Sequence, residues 1–399
     1  MTIKETIETK IVDTCDVLVC GGGFGGISAA LAAARQGKKV TLLEKQYMLG
    51  GLGTAGLITI YLPLCDGMGN QVSFGIAEEL FRLSISMGCE ARYPANWLDS
   101  DDKTKRTEND PRFEVQYNAQ LFAILAEKLL LQNGVKIVYG AYAVAVDKQD
   151  DKISAVIIEG KSGRQAIKPT SVVDATGDCD IALFAGAPTD LFKQGNVLAS
   201  WYYSVGDKEG YKLNTVGYAD IPDDQKKNGK TVKLLTDRRF SGIDTDELSE
   251  MTILSHDSTL NSITKKRKDD TNVFPVTIAT TPQIRMTRKI VGEYVLHDTE
   301  MHKYFEDSIG MVSDWRKRGP VYEVPFSTLY SSEVKNLITA GRCTSVTDSM
   351  WDIMRVIPCC AVTGEAAGIA AAMTDDFSTL DVKELQKKLT ENGVVLHEK

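Results

Sequence analysis

The apolar positions fall into short runs separated by glycine and charge. Cys15-Asp16-Val17-Leu18-Val19-Cys20 is almost wholly apolar, the pattern of a short strand buried on both faces. Ile27–Ala34 is rich in helix formers with an apolar face, and Gly37 stops that helix. Val40–Glu44 is the next strand and ends in an acid. Leu121–Leu131 has the period of an amphipathic helix, and Gly134–Val138 follows as a strand of the same sheet. Ala141–Val146, Ile153–Glu159 and Gln165–Lys168 predict a small antiparallel meander, with turns at Asp150-Asp151 and Lys161-Ser162-Gly163. Trp201-Tyr202-Tyr203 lie on a strand, and Cys359–Met373 is a helix of small residues opened by Pro358. Asp381–Asn392 is a terminal helix with Thr379 as its N-cap. Residues 98–112, Asp223–Lys230 and Lys265–Asp270 are charged and read as solvated loops, with a partner-docking patch as the alternative for the last two.

The junction between the first strand and helix carries the strongest chemical signal. Gly21-Gly22-Gly23-Phe24-Gly25-Gly26 is G-x-G-x-x-G between a strand and a helix. Gly21 permits the tight turn, Gly23 lets a pyrophosphate approach the backbone, and Gly26 lets the helix pack on the strand. The helix N-terminus offers Phe24, Gly25 and their neighbours as free amides to the phosphates. Glu44, followed by Lys45, is placed to bind ribose hydroxyls, and an acid there disfavours a 2′-phosphate. The bland alternative is a glycine turn that holds no ligand. With the strand, helix and acid all in place, this is a Rossmann-like dinucleotide-binding unit in an α/β protein. The motif alone does not separate NAD from FAD.

Composition removes other classes. The chain has 399 residues, enough for two or three packed units at roughly 150 residues each. No apolar run is long enough to span a bilayer, and the polar N-terminus lacks the core of a secretory signal, so a cytoplasmic location is expected. The net charge of −8 leaves no electrostatic footprint for nucleic acid. Eight cysteines include no C-x-x-C pair, and the four histidines never pair at metal-ligand spacing. No metal site is expected.

Later segments resolve the cofactor through resemblance. Gly50-Gly51-Leu52-Gly53-Thr54 resembles the second glycine-rich stretch of two-dinucleotide-binding-domain flavoproteins. Val172-Val173-Asp174-Ala175-Thr176-Gly177-Asp178 resembles their A-T-G-D strand end, and Leu337–Arg342 resembles their final strand and glycine turn. Pro282–Tyr294 resembles an arginine-rich helix, and with Tyr322–Phe326 and Ala340–Pro358 it matches the bacterial FAD-dependent oxidoreductase family known as the FAD_oxidored group. That group is distantly similar to fumarate reductase and succinate dehydrogenase flavoproteins. The resemblance implies FAD and a Rossmann-like FAD-binding domain in two parts, 1–190 and 331–399, with an inserted α+β substrate or cap domain at 191–330. It also implies contacts from Gly50, Gly51, Thr54, the backbone of Val144, Ala175, Thr176, Gly177, Asp178, Gly341, Arg342 and the helix start at Cys359. Where the family commonly has histidines, this chain has Asp348 and Trp351.

The expected activity is hydride transfer between a small organic substrate and flavin N5, as a dehydrogenase or reductase, with an external electron donor or acceptor. The alternatives are a non-catalytic FAD-binding or electron-transfer subunit, and an NAD-binding protein of the same fold. Arg355 is a candidate carboxylate clamp or enolate stabiliser, against a structural role at a turn. Arg285 and Arg288, three apart on the expected helix face, are candidates for an anionic substrate or for an ion-pair network. Asp348 is a candidate base or N-cap. Cys65 and Cys343 are candidates for a flavin tether or for packing thiols, and Cys359-Cys360 for thiols with a lowered pKa at a helix start. Tyr117 and Tyr322 are weaker candidates. A homodimer is the base-rate expectation.

Overall fold

The computed structural model describes residues 2–88, 114–217 and 234–398. The loops expected at 98–112 and Asp223–Lys230 lie outside the described residues. A seven-stranded sheet organises the molecule. Its parallel part runs, in spatial order, Lys136–Tyr139, Val40–Glu44, Lys10–Cys20, Gly163–Asp174 and Leu337–Thr339. The central strand pairs with Val40–Glu44 on one side and Gly163–Asp174 on the other, both in parallel. Its C-terminal half, Val17–Cys20, is buried, as a parallel strand covered on both faces requires.

The meander continues this sheet. Tyr142–Gln149 pairs antiparallel with Lys152–Gly160, which pairs antiparallel with the start of Gly163–Asp174. The two runs expected as separate strands, Gln165–Lys168 and Val172–Asp174, are therefore one twelve-residue strand. Its first half belongs to the meander and its second half to the parallel sheet. The intervening Pro169 does not break it, although proline lacks an amide proton.

Two helices made largely of small residues cover one face. Phe24–Arg35 and Ile357–Met373 pack with backbones nearly touching. A Cβ on Gly364 would lie 2.2 Å from the Gly25 carbonyl, and one on Gly368 would lie 2.2 Å from that of Ala29. Alanine-rich faces make this approach possible, and burial makes it stable. Each fully buried aliphatic side chain, such as Ile27, Leu31 or Ile369, contributes about 1.5–3 kcal/mol. The same core takes in Ile309, Val312 and Val324 from the hairpin Ser308–Ser313/Val321–Pro325.

Between 191 and 330, a three-stranded antiparallel sheet orders Lys212–Val216, Ser200–Val205 and Phe274–Ile278. Helix Thr245–Lys266 packs on it, with Tyr202 against Ile263 and Val273. This helix extends into the charged run at Lys265–Asp270, which is thus a helix end and turn rather than a wholly solvated loop. Asp270 is buried there and accepts the Lys208 amide at 2.8 Å. The terminal helix is Val382–Glu391, capped by Asp381 instead of Thr379. Among the described residues, no single helix is long and apolar enough to cross a membrane.

Candidate active site

A cleft opens along the C-terminal ends of the parallel strands, where α/β sheets bind ligands. Counted out to its open mouth it holds about 1410 Å³. Its floor is the glycine turn. The Gly21 amide donates to the Leu43 carbonyl at 2.8 Å, and its φ of 107° lies in glycine territory. Gly26 presses on that turn so closely that a Cβ would fall 1.8 Å from the Gly21 oxygen. Gly23 is different: a Cβ there would meet nothing within 4 Å, because the residue faces the open cleft. It caps the helix Phe24–Arg35 without a side chain, so the first helical amides keep no internal acceptor.

Glu44 closes the next strand beside this turn. It is buried, and its two carboxylate oxygens accept the Gly22 and Gln46 amides, each at 2.8 Å. Burial pushes its pKa up, and these amides oppose the rise. Gly50 donates to the Gly22 carbonyl at 2.7 Å, which holds the second glycine stretch against the first. On the opposite side, Asp174 accepts from the Thr176 hydroxyl at 2.6 Å and the Ala182 amide at 3.0 Å. That buried carboxylate fixes the turn Ala175–Asp178. Arg342 then ties this turn to the final glycine turn through Asp178 at 3.2 Å.

Two arginines line the wall of the cleft beside the last long helix. Ile357 and Cys360, from the first turn of helix Ile357–Met373, line it with Arg342 and Arg355. Arg355 Nε donates to Asp352 at 2.9 Å. Asp352 also meets Arg316 at 3.2 Å, and Arg316 meets Asp314 at 2.9 Å. Next to the lining residue Ile284 lies Arg285, only 4% exposed. Its Nη1 donates to the Gln283 carbonyl at 3.0 Å, and its guanidinium carbon sits 5.4 Å from the centre of the Trp201 ring. Its Nη2 has no hydrogen-bond partner among the described residues. Burial, then the nearby Arg355 and Arg342, hold the Arg285 pKa well below the usual guanidinium value.

Most residues expected to contact a cofactor line this one cleft: Gly21, Gly23, Phe24, Gly25, Glu44, Lys45, Gly50, Gly51, Ala175, Thr176, Gly177, Asp178, Gly341 and Arg342. Gly26 and Thr54 support it from behind, Thr54 by donating to the Leu49 carbonyl. Val144 is not in the lining; Ala141, Tyr142 and Ala143 are, just before a register shift between Ala143 and Ala145. Cys360, not Cys359, faces the cleft, because Cys359 turns back to the Ile353 carbonyl at 3.3 Å. Burial raises both thiols, Cys360 to about 12, so the helix start does not lower their pKa values.

Of the expected catalytic residues, Arg355 lines the cleft, whereas Asp348 and Arg285 do not. Asp348 opens the helix Asp348–Met354 and holds Lys289 Nζ at 2.6 Å, so it acts as an ion-pair partner away from the lining. The arginine-rich segment is not a helix. Arg288–Ile290 is a strand paired with Thr189–Leu191, and Pro282–Thr287 runs without regular structure. Arg288 therefore faces Asp180 at 3.4 Å, away from Arg285's surroundings. Cys65 and Cys343 are buried outside the lining. Tyr117 and Tyr322 donate to the Gly53 and Asp298 carbonyls at 2.6 and 2.9 Å. Gly22, Gln46, Leu52, Asp180, Thr281 and Pro282 line the cleft without having been expected to. The Thr-Thr-Pro run before Gln283 was the available signal for the last two.

The family model for FAD dependent oxidoreductases matches residues 16–197 and 199–389. The chain belongs to that family. The cofactor that defines the family is FAD, and the residues just described fit it. Gly23 leaves room where a pyrophosphate would meet the helix amides, and Glu44 stands where a ribose would lie. Among curated proteins, the family member is 47% identical over 49 residues to an inactive all-trans-retinol 13,14-reductase of Danio rerio, covering 12% of this chain and 8% of that protein. It is 27% identical over 92 residues to a thioredoxin reductase of Ureaplasma parvum, covering 23% of this chain and 30% of the relative. The chain thus spans under a third of either relative's length. A geranylgeranyl bacteriochlorophyll reductase-like protein of Thermoplasma acidophilum superposes with a TM-score of 0.48 at 14% identity, over 96% of this chain and 82% of that one.

Proposed function

We propose that the protein is an FAD-dependent dehydrogenase or reductase acting on a small organic substrate. The observation that carries this reading is the continuity of the cleft, from the glycine turn at Gly21–Gly26 to the arginine-lined helix start at Ile357. Bound FAD supplies hydride exchange at its N5. The chain's own groups hold and bias it. The amides at the start of Phe24–Arg35 would bind the pyrophosphate, and Glu44 a ribose. The start of helix Ile357–Met373 would present its amides and positive dipole to a bound flavin from the cleft wall that Arg342 shares. Arg355 is held by Asp352 with its guanidinium along the lining, where it can orient a substrate. A second substrate or an external electron partner restores the oxidation state.

Reoxidation distinguishes this from oxygenase chemistry. The FAD-loaded protein is reduced with dithionite under argon and mixed with a panel of quinones, enones and unsaturated acids. Full reoxidation by one of these without oxygen is expected. Reoxidation only by oxygen, with labelled oxygen appearing in an organic product, contradicts the proposal.

A further inference from the structure

The three-stranded sheet of the cap and the second glycine stretch of the cleft meet at a buried side-chain amide. Gln283 is 3% exposed. Its Oε1 accepts the Trp201 amide at 2.8 Å, and its Nε2 donates to the Gly56 carbonyl at 2.5 Å. These partners fix which way the amide points, because a donor faces its oxygen and an acceptor its nitrogen. Trp201 lies on the central strand of the cap sheet. The edge strand Phe274–Ile278 pairs with that strand only from Val205 back to Tyr202. One residue further, at Trp201, the Gln283 side chain supplies the acceptor. On its other side, Gly56 is bonded into the glycine stretch. Its amide donates to the Gly51 carbonyl at 3.2 Å, and the next turn is closed by Ile58 on the Leu52 carbonyl at 3.0 Å. Gly51 and Leu52 line the cleft. Gln283 therefore stands two hydrogen bonds from the cofactor wall and one from the middle of the cap. Neighbouring contacts run the same way: the Thr280 amide donates to the Ala55 carbonyl at 2.9 Å, and the Tyr203 and Thr59 hydroxyls meet at 2.7 Å.

We propose that Gln283 couples FAD binding in the cleft to the order of the cap. The glycine stretch is the part of the wall with most conformational freedom to lose, since Gly50 and Gly51 sit at φ of 101° and 54°. A ligand that holds this stretch in place holds the Gly56 carbonyl in place. Any displacement of that carbonyl leaves the Gln283 Nε2 buried without its acceptor, which is costly. FAD thus stabilises the arrangement in which the Trp201 amide is also satisfied. The coupling is reciprocal: the order that FAD gives the cap, the cap returns as FAD affinity. The proposal goes beyond the reaction proposed above, because it needs FAD in the cleft but no particular substrate.

The test is amide hydrogen exchange read by peptide mass, with and without saturating FAD. The reporters are cap strand Lys212–Val216 and helix residues Met251–Ile263, none of which lines the cleft, beside the core strand Lys10–Cys20. In the parent, FAD slows exchange in both cap reporters about fivefold or more. Gln283→Met keeps the length of the side chain and removes both bonds. It still takes up FAD and still shows slowing in Lys10–Cys20, but the slowing in the cap falls below about twofold. Gln283→Asn, too short to span both partners, gives the same loss. Ile263→Val, in the cap core, speeds cap exchange with and without FAD alike and keeps the parent's ratio, which separates coupling from plain destabilisation. No FAD-dependent slowing in the parent's cap, or full slowing retained in a Gln283 variant, overturns the proposal. The parent measurement decides even if a variant fails to fold. A flavin band with no slowing in the cap defeats the coupling alone, whereas a parent that takes up no FAD defeats the reading of the cleft with it.

Discussion

Two parts of the cleft are built from different materials. The glycine turn is main chain: Gly21, Gly23 and Gly26 differ in what their missing Cβ would strike. The wall beside the last helix is made of side chains, with Arg342 held by Asp178 and Arg355 by Asp352. At the turn, Glu44 accepts the Gly22 and Gln46 amides, while the first amides of helix Phe24–Arg35 stay open toward the cleft. At the wall, each lining arginine already has its aspartate. A glycine packed against its own backbone, such as Gly26, tolerates no side chain, whereas an ion pair spreads its constraint over two side chains from separate segments.

The largest effect is expected at Gly26. Alanine there would place Cβ 1.8 Å from the Gly21 oxygen, so the helix must move. Gly26→Ala should cost several kcal/mol in urea unfolding and remove FAD retention. Gly23→Ala sharpens the contrast. Its Cβ would enter only the cleft, so stability should stay within about 0.5 kcal/mol while FAD affinity falls. Equal destabilisation by both would remove the distinction between packing and ligand-facing glycines.

A buried carboxyl outside the cleft shows what desolvation does to an ionisable side chain. Glu365, on helix Ile357–Met373, accepts the Ile76 amide at 2.7 Å, and burial raises its pKa from 4.5 to about 7. The folded state therefore holds this proton longer than the unfolded state. Its contribution to stability is fully present below 4.5 and is lost as pH rises through about 7. The loss amounts to at most about 3 kcal/mol. Glu365→Gln should flatten that part of the stability profile between about pH 5 and about pH 8, measured by urea midpoints. An unchanged slope contradicts the assignment.

Asp348 gives the smallest effect. Among the described residues, Asp348→Asn leaves Lys289 with only Asp190, at 3.8 Å, as a nearby carboxylate, and the pair's acid is 38% exposed. A stability loss of about 1 kcal/mol is expected, with turnover unchanged because Asp348 lies outside the cleft. A large fall in turnover at constant FAD content would return Asp348 to the role of base.

The same division explains what was legible in the sequence. Main-chain constraints write themselves as glycines at fixed spacing, so the turn, Glu44 and the later Ala175–Asp178 and Gly341-Arg342 elements were readable. Charge pairing across distant segments leaves no such mark. Arg285 and Arg288, three apart, suggested one helix face, but Pro282 precedes an extended path, and in extended chain such residues point to opposite sides. Asp348 and Lys289 are 59 residues apart, and only the folded chain shows that they pair. The lining takes in Ala143 but not the expected Val144, at a register shift between Ala143 and Ala145 that has no mark in the sequence pattern. The thiols at Cys359-Cys360 followed burial rather than the helix end, since a dipole effect is small beside full desolvation.

FAD held in one cleft through the glycine turn has a direct consequence for colour. The direct test is the visible spectrum of the purified, FAD-reconstituted protein, repeated on supernatant and pellet after acid precipitation, beside Gly26→Ala. A flavin band released wholly to the supernatant is expected, because Cys65 and Cys343 lie outside the lining and burial raises the pKa of the lining thiols Cys20 and Cys360, and no band is expected from the variant. A parent protein that stays colourless after incubation with FAD, or a variant that retains it fully, contradicts the account.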